Sequence, residues 1–338
     1  MYLKNYTYII AEAGVNHNGN FNLAKKLIFA AKKCGADAVK FQSFNPEDVV
    51  TKKLTLAKYQ QKNLSLKKNN MLEMIKKLEL TKKDQFKLLK ISKKLRIDFI
   101  SSAFDLDSLN FLIKKLKLSI IKIPSGEINN FPYLKKISEF NKKVILSTGM
   151  SNFKEIDQAL KILTSKSLKK NKIIVLHCNT AYPTPYKDVN LKVLDEFKKR
   201  YKNRFGLSDH SLGIEVPIAA AALDAKVIEK HFTLNKKFKG PDHKSSLEPK
   251  EFSKMVNSIR NIDVAKGSKI KKVSMSEKQN IFFARKSIVA KIPIKKGQRF
   301  TDKNITVKRP GNGLSPMSWP KVIKKRAKVS FKKDEQIR

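Results

Sequence analysis

One pattern constrains this chain more than any other: a short apolar run followed by a longer amphipathic stretch, repeated eight times. The apolar runs fall at 8–11, 38–41, 98–101, 120–123, 144–146, 173–176, 205–207 and 227–228. Helical patterns follow at 22–33, 81–93, 106–115, 133–140, 153–164, 191–201, 215–224 and 251–265. Strands that are apolar throughout, rather than at every second residue, suit a parallel sheet covered on both faces. The intervening helices supply the crossovers that parallel pairing requires. Eight such units within the first 265 residues predict an α/β fold, a (β/α)8 TIM barrel. A doubly wound sheet is the alternative, but no G-x-G-x-x-G follows a strand here. Thr81 and Asp84 resemble a capping box, with Asp in place of the usual Glu or Gln.

The pattern stops after Ala265. Residues 266–280 are polar and read as a linker, leaving 1–265 as the barrel and 281–338 as a second domain. The latter has short runs at 285–290, 294–299 and 304–309, then the turn-rich RPGNGLSPMSWP. It is expected to be a small, mostly irregular β domain. At that size it holds little core of its own, so it should pack on its own barrel or on a partner's.

The 338 residues carry a net charge of +44, which invites a nucleic-acid reading. Only nine of the 73 basic residues are arginine, however, and the lysines are spread through every segment. Arginine is the residue that reads phosphates and bases bidentately. Dispersed lysines describe solvated helix faces, with no RNP-like or helix-turn-helix pattern beside them. Nucleic acid is therefore not an expected partner, although the field favours an anionic substrate. With 41% hydrophobic residues the chain has ample core material and is not disordered. Two cysteines exclude a disulfide scaffold and any four-cysteine metal site. No apolar stretch reaches 18 residues, and the N-terminus lacks a signal-peptide pattern, so a cytoplasmic protein without a membrane association is expected.

In such a barrel the site forms where the strands end. Nearly every run here ends in polar, reactive residues: Glu12 after the first, Lys40 and Gln42 after the second, Ser102 after the third. Lys122, Ser125 and Glu127 follow the fourth, Ser147 the fifth, and His177, Cys178 and Tyr182 the sixth. Ser208 and His210 follow the seventh, and Glu229, Lys230 and His231 the eighth. Singly each is weak; His177, for example, reads as a satisfied core histidine. Two lysines among several hydroxyls are what a compact anion such as phosphate needs. His210 and His231, on adjacent strands, can share a divalent metal with positions left open, as a Lewis-acid site requires. Glu12 and Glu127 are available for proton transfer or for sugar hydroxyls.

The segments EAGVNHNG, VKFQ, KIPSGE, LSTGM, HC with YPTPY, GLSDHSLG, EKHFT, GPDHKSSLEP and KRPGNGLSPM closely resemble the sialic acid synthase family, in collinear order over essentially the whole chain. The C-terminal part resembles that family's antifreeze-like (SAF) domain. The resemblance implies a transferase that condenses phosphoenolpyruvate with an N-acetylated hexosamine and releases phosphate by C–O cleavage. N-acetylmannosamine, giving N-acetylneuraminate, is the first expectation. The alternative is 2,4-diacetamido-2,4,6-trideoxymannose, giving N,N'-diacetyllegionaminate. It further implies phosphoenolpyruvate binding by Lys40, Ser102, Lys122, Ser125, Ser147 and Ser208, and sugar binding by Glu12, Gln42, Tyr182 and Asp242. Glu127 is implied beside the reacting carbons, and Mn2+ or Mg2+ on His210 and His231. Arg309 is implied to reach into the partner's active site in a homodimer. Ser102 and Ala103 depart from the family's usual Thr-Pro. Residues 242–244 and 52–70 are expected at the sugar end. A more distant alternative is a pyruvate aldolase with a Schiff base on Lys122.

Overall fold

The computed structural model describes residues 6–57, 60–61 and 70–338. They form two compact units, Met1–Gly267 and Ser268–Arg338. The first is a closed barrel of eight parallel strands in sequence order. The strands are β1 (Tyr8–Gly14), β2 (Ala38–Ser43), β3 (Asp98–Ala103), β4 (Ile120–Ile123), β5 (Lys143–Ser147), β6 (Ile173–Cys178), β7 (Phe205–Asp209) and β8 (Val227–His231). The principal covering helices are α1 (Phe21–Lys33), α2 (Lys82–Leu95), α3 (Leu106–Asn110), α4 (Phe131–Ser138), α5 (Phe153–Leu163), α6 (Val193–Tyr201), α7 (Glu215–Ala222) and α8 (Pro249–Ala265). None of the helices among the described residues is long and apolar enough to cross a membrane.

Several strands run past their apolar runs into the polar residues beyond, because ladder hydrogen bonds come from the backbone whatever the side chain. Side chains alternate between the two faces of each strand. The outward set packs under the helices in one core that includes Ile9, Val39, Phe41, Ile121, Leu146, Leu207 and Ile228. The inward set starts with an apolar plug of Tyr8, Ile10, Ala38, Ile100, Ile120, Ile145, Ile174, Leu176 and Val227. One step further along, the inward positions become Glu12, Lys40, Ser102, Lys122, Ser147, Cys178, Ser208 and Glu229. These line a cavity. Barrel register makes them neighbours: Glu12 pairs with Lys40 and His231, Ser102 with Lys122, and Ser208 with both Cys178 and Glu229.

Two sequence expectations change in detail. The helix expected over 106–115 is α-helical only to Asn110 and continues as a π-type turn, Phe111–Lys115. At Thr81 only half of the capping box forms: its hydroxyl accepts from the Asp84 amide, while the Asp84 carboxylate accepts a hydrogen bond from the threonine hydroxyl instead of from the Thr81 amide.

In the second unit β9 (Ser287–Ala290) pairs antiparallel with β10 (Ile305–Lys308). The rest is mostly turns around a small core of Ile288, Ile294, Phe300, Ile305, Val322, Phe331 and Ile337. The expected run at 294–299 contributes only single bridges, Ile294 to Phe331 and Arg299 to Arg326. The stretch read as a linker is not irregular throughout. Helix α9 (Met275–Ala284) runs across the expected boundary, started by a capping box between Ser274 and Glu277. Polar composition masked it, since no residue of this helix is buried.

Candidate functional site

Two adjoining chambers open at the C-terminal mouth of the barrel. The first, of about 220 Å³, is cationic and hydroxyl-rich. Lys40 donates to Ser102 (3.1 Å) and lies 2.8 Å from a Glu12 carboxylate oxygen. Lys122 donates to Ser147 (2.7 Å). Between the two lysines stands Glu229, whose Oε1 is 3.8 Å from Lys40 and 3.7 Å from Lys122 and accepts the Ser208 hydroxyl at 2.9 Å. Ser125 is also on the lining and accepts the Gly149 amide. All of these side chains are buried.

Their charges are set by one another. At Glu12 burial dominates over the pull of Lys40 and pushes the carboxyl up to about 7. Burial works against the charge of Lys40, but Glu12 and Glu229 outweigh it and raise its pKa. Burial wins at Lys122, which is lowered despite Glu229. Burial also opposes charge at Glu229, yet Lys122 and Lys40 hold its carboxyl below the usual range. The chamber thus keeps positive charge beside a proton-sharing carboxyl, a suitable lining for an anion that undergoes proton transfer.

His210 and His231 line the same chamber, with ring centroids 5.2 Å apart. Tyr182 packs 4.2 Å from the first ring and 5.5 Å from the second. The Nδ1 of His210 is bound to the Asn179 carbonyl, which orients the ring and leaves Nε2 as the nitrogen able to take a ligand. His231 has a buried Nδ1 with no hydrogen-bond partner and is held neutral by burial and by the nearby His210. An oriented imidazole beside a neutral one with an unsatisfied nitrogen fits a divalent cation. Among the described residues no third His, Cys, Asp or Glu joins them in a cluster able to hold a metal.

The second chamber, of about 270 Å³, shares Gln42, Phe104, Tyr182 and His231 with the first. Its remaining lining is largely apolar: Val15, Phe44, Val49, Val50, Met71, Met74, Ile75 and Leu78, with Gln60, Pro241 and Asp242. Gln42 bridges the chambers and donates to Glu12 at 3.3 Å. Asp242 is buried, and that burial raises its carboxyl to about 6. Of the expected sugar-end segment 52–70, Gln60 lines this chamber, while 58–59 and 62–69 lie outside the described residues.

The structure therefore brings twelve expected site residues to these walls: Glu12, Lys40, Gln42, Ser102, Lys122, Ser125, Ser147, Tyr182, Ser208, His210, His231 and Asp242. Glu127 does not join them. It sits half-buried on the turn Ser125–Glu127, its carboxylate accepting from Asn130 at 2.6 Å and raised by burial. Arg309 belongs to the second unit, exposed just after β10. His177 faces the helices as expected, bonded to the Val189 carbonyl and packed on Phe197. Glu229 was missed as a site residue. Its signal was its spacing: two residues before His231 on one strand, it shares the inward face, whereas Lys230 between them points outward to Asp209.

Comparison with known proteins places this arrangement. Residues 27–271 match the NeuB family, and residues 285–338 match the SAF domain. The chain is 51% identical to the N,N'-diacetyllegionaminic acid synthase of Campylobacter jejuni, over 98% of this chain and 99% of that one. It is 35% identical to the human N-acetylneuraminate-9-phosphate synthase, covering 98% of this chain and 91% of the other. Among solved structures, the N-acetylneuraminic acid synthetase of Leptospira borgpetersenii superposes with a TM-score of 0.72 at 34% identity, covering 82% of this chain and 91% of that chain. With an eight-stranded barrel whose mouth carries Lys40, Lys122, His210 and His231, and with relatives matched along almost the full length, the chain belongs to the NeuB family of sialic and legionaminic acid synthases and carries a C-terminal SAF domain.

Proposed function

We propose that this protein condenses phosphoenolpyruvate with 2,4-diacetamido-2,4,6-trideoxymannose and water to give N,N'-diacetyllegionaminate and phosphate. The observation that carries the choice of sugar is the second chamber. Its wall of Met71, Met74, Ile75 and Leu78 offers no partner to the additional hydroxyls of N-acetylmannosamine, and each hydroxyl buried against it without one costs about 1–3 kcal/mol. A 6-methyl group and a 4-acetamido methyl gain from the same wall. The 51% identity to a diacetyllegionaminic acid synthase supports the same reading, which displaces the first expectation of N-acetylmannosamine.

Lys40 and Lys122, with Ser102, Ser125, Ser147 and Ser208, hold the phosphate and carboxylate of phosphoenolpyruvate. The methylene carbon of phosphoenolpyruvate attacks the aldehyde carbon of the open-chain sugar, and water adds to the adjacent enol carbon. The C–O bond to phosphate then breaks. Glu12, with a pKa of about 7 beside Lys40, gives a proton to the sugar oxygen as the C–C bond forms. Glu127, at the rim, is the candidate to position the incoming water. His210 and His231 are the residues that would hold Mn2+ or Mg2+, and such an ion supplies Lewis-acid polarisation of the sugar carbonyl. Arg309 of one chain completes the sugar site of its partner in a homodimer.

Phosphate release from phosphoenolpyruvate, measured with each sugar and with Mn2+ or EDTA, tests this reading. Metal-dependent turnover with kcat/KM about a hundredfold higher for the diacetamido sugar is expected. Equal or better use of N-acetylmannosamine would overturn the choice of sugar. Lys122, lowered first by burial, has the property a Schiff-base lysine needs. Borohydride with pyruvate is expected to leave it unlabelled, and labelling would favour the aldolase.

A further inference from the structure

Asp242 lies on the long loop that joins β8 to α8, a segment with little regular structure of its own. A short loop after β1, residues 15–20, is bonded to it at several points. The buried Asn16 side chain donates to the Phe232 carbonyl and to the Ser246 hydroxyl, both at 2.9 Å. Ser246 in turn donates to the carbonyl of Asp242 at 2.7 Å. Asn18 donates to the Lys239 carbonyl at 2.9 Å, so its oxygen must face the His243 ring. That assigns a hydrogen to His243 Nε2 and leaves its Nδ1 to accept the Thr233 hydroxyl at 2.7 Å.

The same short loop meets the opposite wall. A Cβ on Gly19 would stand 2.5 Å from the Lys77 carbonyl, one residue before Leu78 of the apolar lining. Residues 15–20 are therefore seated between the two segments that flank the second chamber.

We propose that Asn16 is a positioning residue: through Ser246 it fixes the backbone of Asp242 and so sets where that carboxyl stands at the sugar end of the site. This rests on the reading of the second chamber as the sugar chamber. Neither Asn16 nor Ser246 is on the lining of either chamber, so their effect passes through the residues they hold, and the bond that Ser246 makes leads to Asp242.

The test is steady-state kinetics on Asn16→Ala, Ser246→Ala, their double variant and Ser246→Thr, with amide hydrogen exchange on the same full-length proteins. Each alanine variant is expected to raise KM for the sugar about tenfold while KM for phosphoenolpyruvate stays within about twofold. The double variant should be no worse than the poorer single one, and Ser246→Thr, which keeps the hydroxyl, should approach wild type. Amides over 239–246 should exchange faster in Asn16→Ala, with the barrel strands unchanged. A parallel rise in both KM values, additive losses, or unchanged exchange would overturn the proposal. Ser246→Ala keeps the test open should Asn16→Ala fail to fold. If wild type turned over neither sugar, the proposed function would fail, and the exchange data alone would decide whether Asn16 holds the backbone of Asp242 through Ser246.

Discussion

His17 shows how much one residue of this barrel depends on its neighbours. It is fully buried, its Nδ1 accepts the Gly19 amide, and burial lowers its pKa to about 4. The unfolded chain takes up that proton near pH 6.5, so acid favours unfolding. This group's contribution to stability is complete above pH 6.5 and is lost as pH falls toward 4. Between pH 7 and pH 5 the loss is about 2 kcal/mol. Urea unfolding of the ligand-free protein at both pH values, compared with His17→Gln, measures it. The variant is expected to lose about 2 kcal/mol less than wild type over that interval, and parallel losses would refute the assignment. The motif containing His17 was visible in the sequence. Its burial was not, because an imidazole reads the same in the sequence whether it faces water or the core.

At the scale of elements, the strand ends were legible and the exact inward set was not. Continuous apolar runs carry no phase, so in VIEKH only the expectation that His231 faces the mouth put Glu229 on the same face and Lys230 on the other. Gly206 shows the tolerance of barrel closure. It pairs with Val227, and an added Cβ would sit 2.2 Å from the Val227 carbonyl and 2.8 Å from Leu176. Gly206→Ala is expected to destabilise the protein by about 3 kcal/mol and to lower kcat/KM, since Ser208 follows it on β7 and His210 comes directly after that strand. Asn152→Ala is the control. It removes half of the capping box that starts α5, where Asn152 and Glu155 satisfy each other's backbone amides. It should cost about 1 kcal/mol and leave the kinetics alone. Thermal unfolding and rate assays on both variants check the pair; a Gly206→Ala protein with wild-type melting and turnover would contradict the account.

For the whole molecule, each unit has a core of its own, and the residue expected to join them in function, Arg309, is exposed in the second. If Arg309 serves a partner's site, two inactive variants should rescue each other. Lys122→Ala disables the barrel site of its own chain, and Arg309→Ala disables the site of the neighbour. Equal mixtures that exchange subunits should recover about a quarter of wild-type activity, because half the dimers are mixed and each of those has one intact site. Mixtures that stay inactive after subunit exchange, verified by mass, would place Arg309 in its own chain's site or in none.

The sequence by itself determined the barrel, because period and composition specify strand, helix and their order. Through collinear motifs it also determined the family and most residues of the charged chamber. Tertiary structure alone decided three things. It placed Glu229 between two lysines, divided the mouth into a charged chamber and an apolar one, and bonded the loop after β1 to the loop carrying Asp242. Each depends on residues far apart in the chain meeting at a set distance, and such distances exist only once the eighth strand has closed on the first.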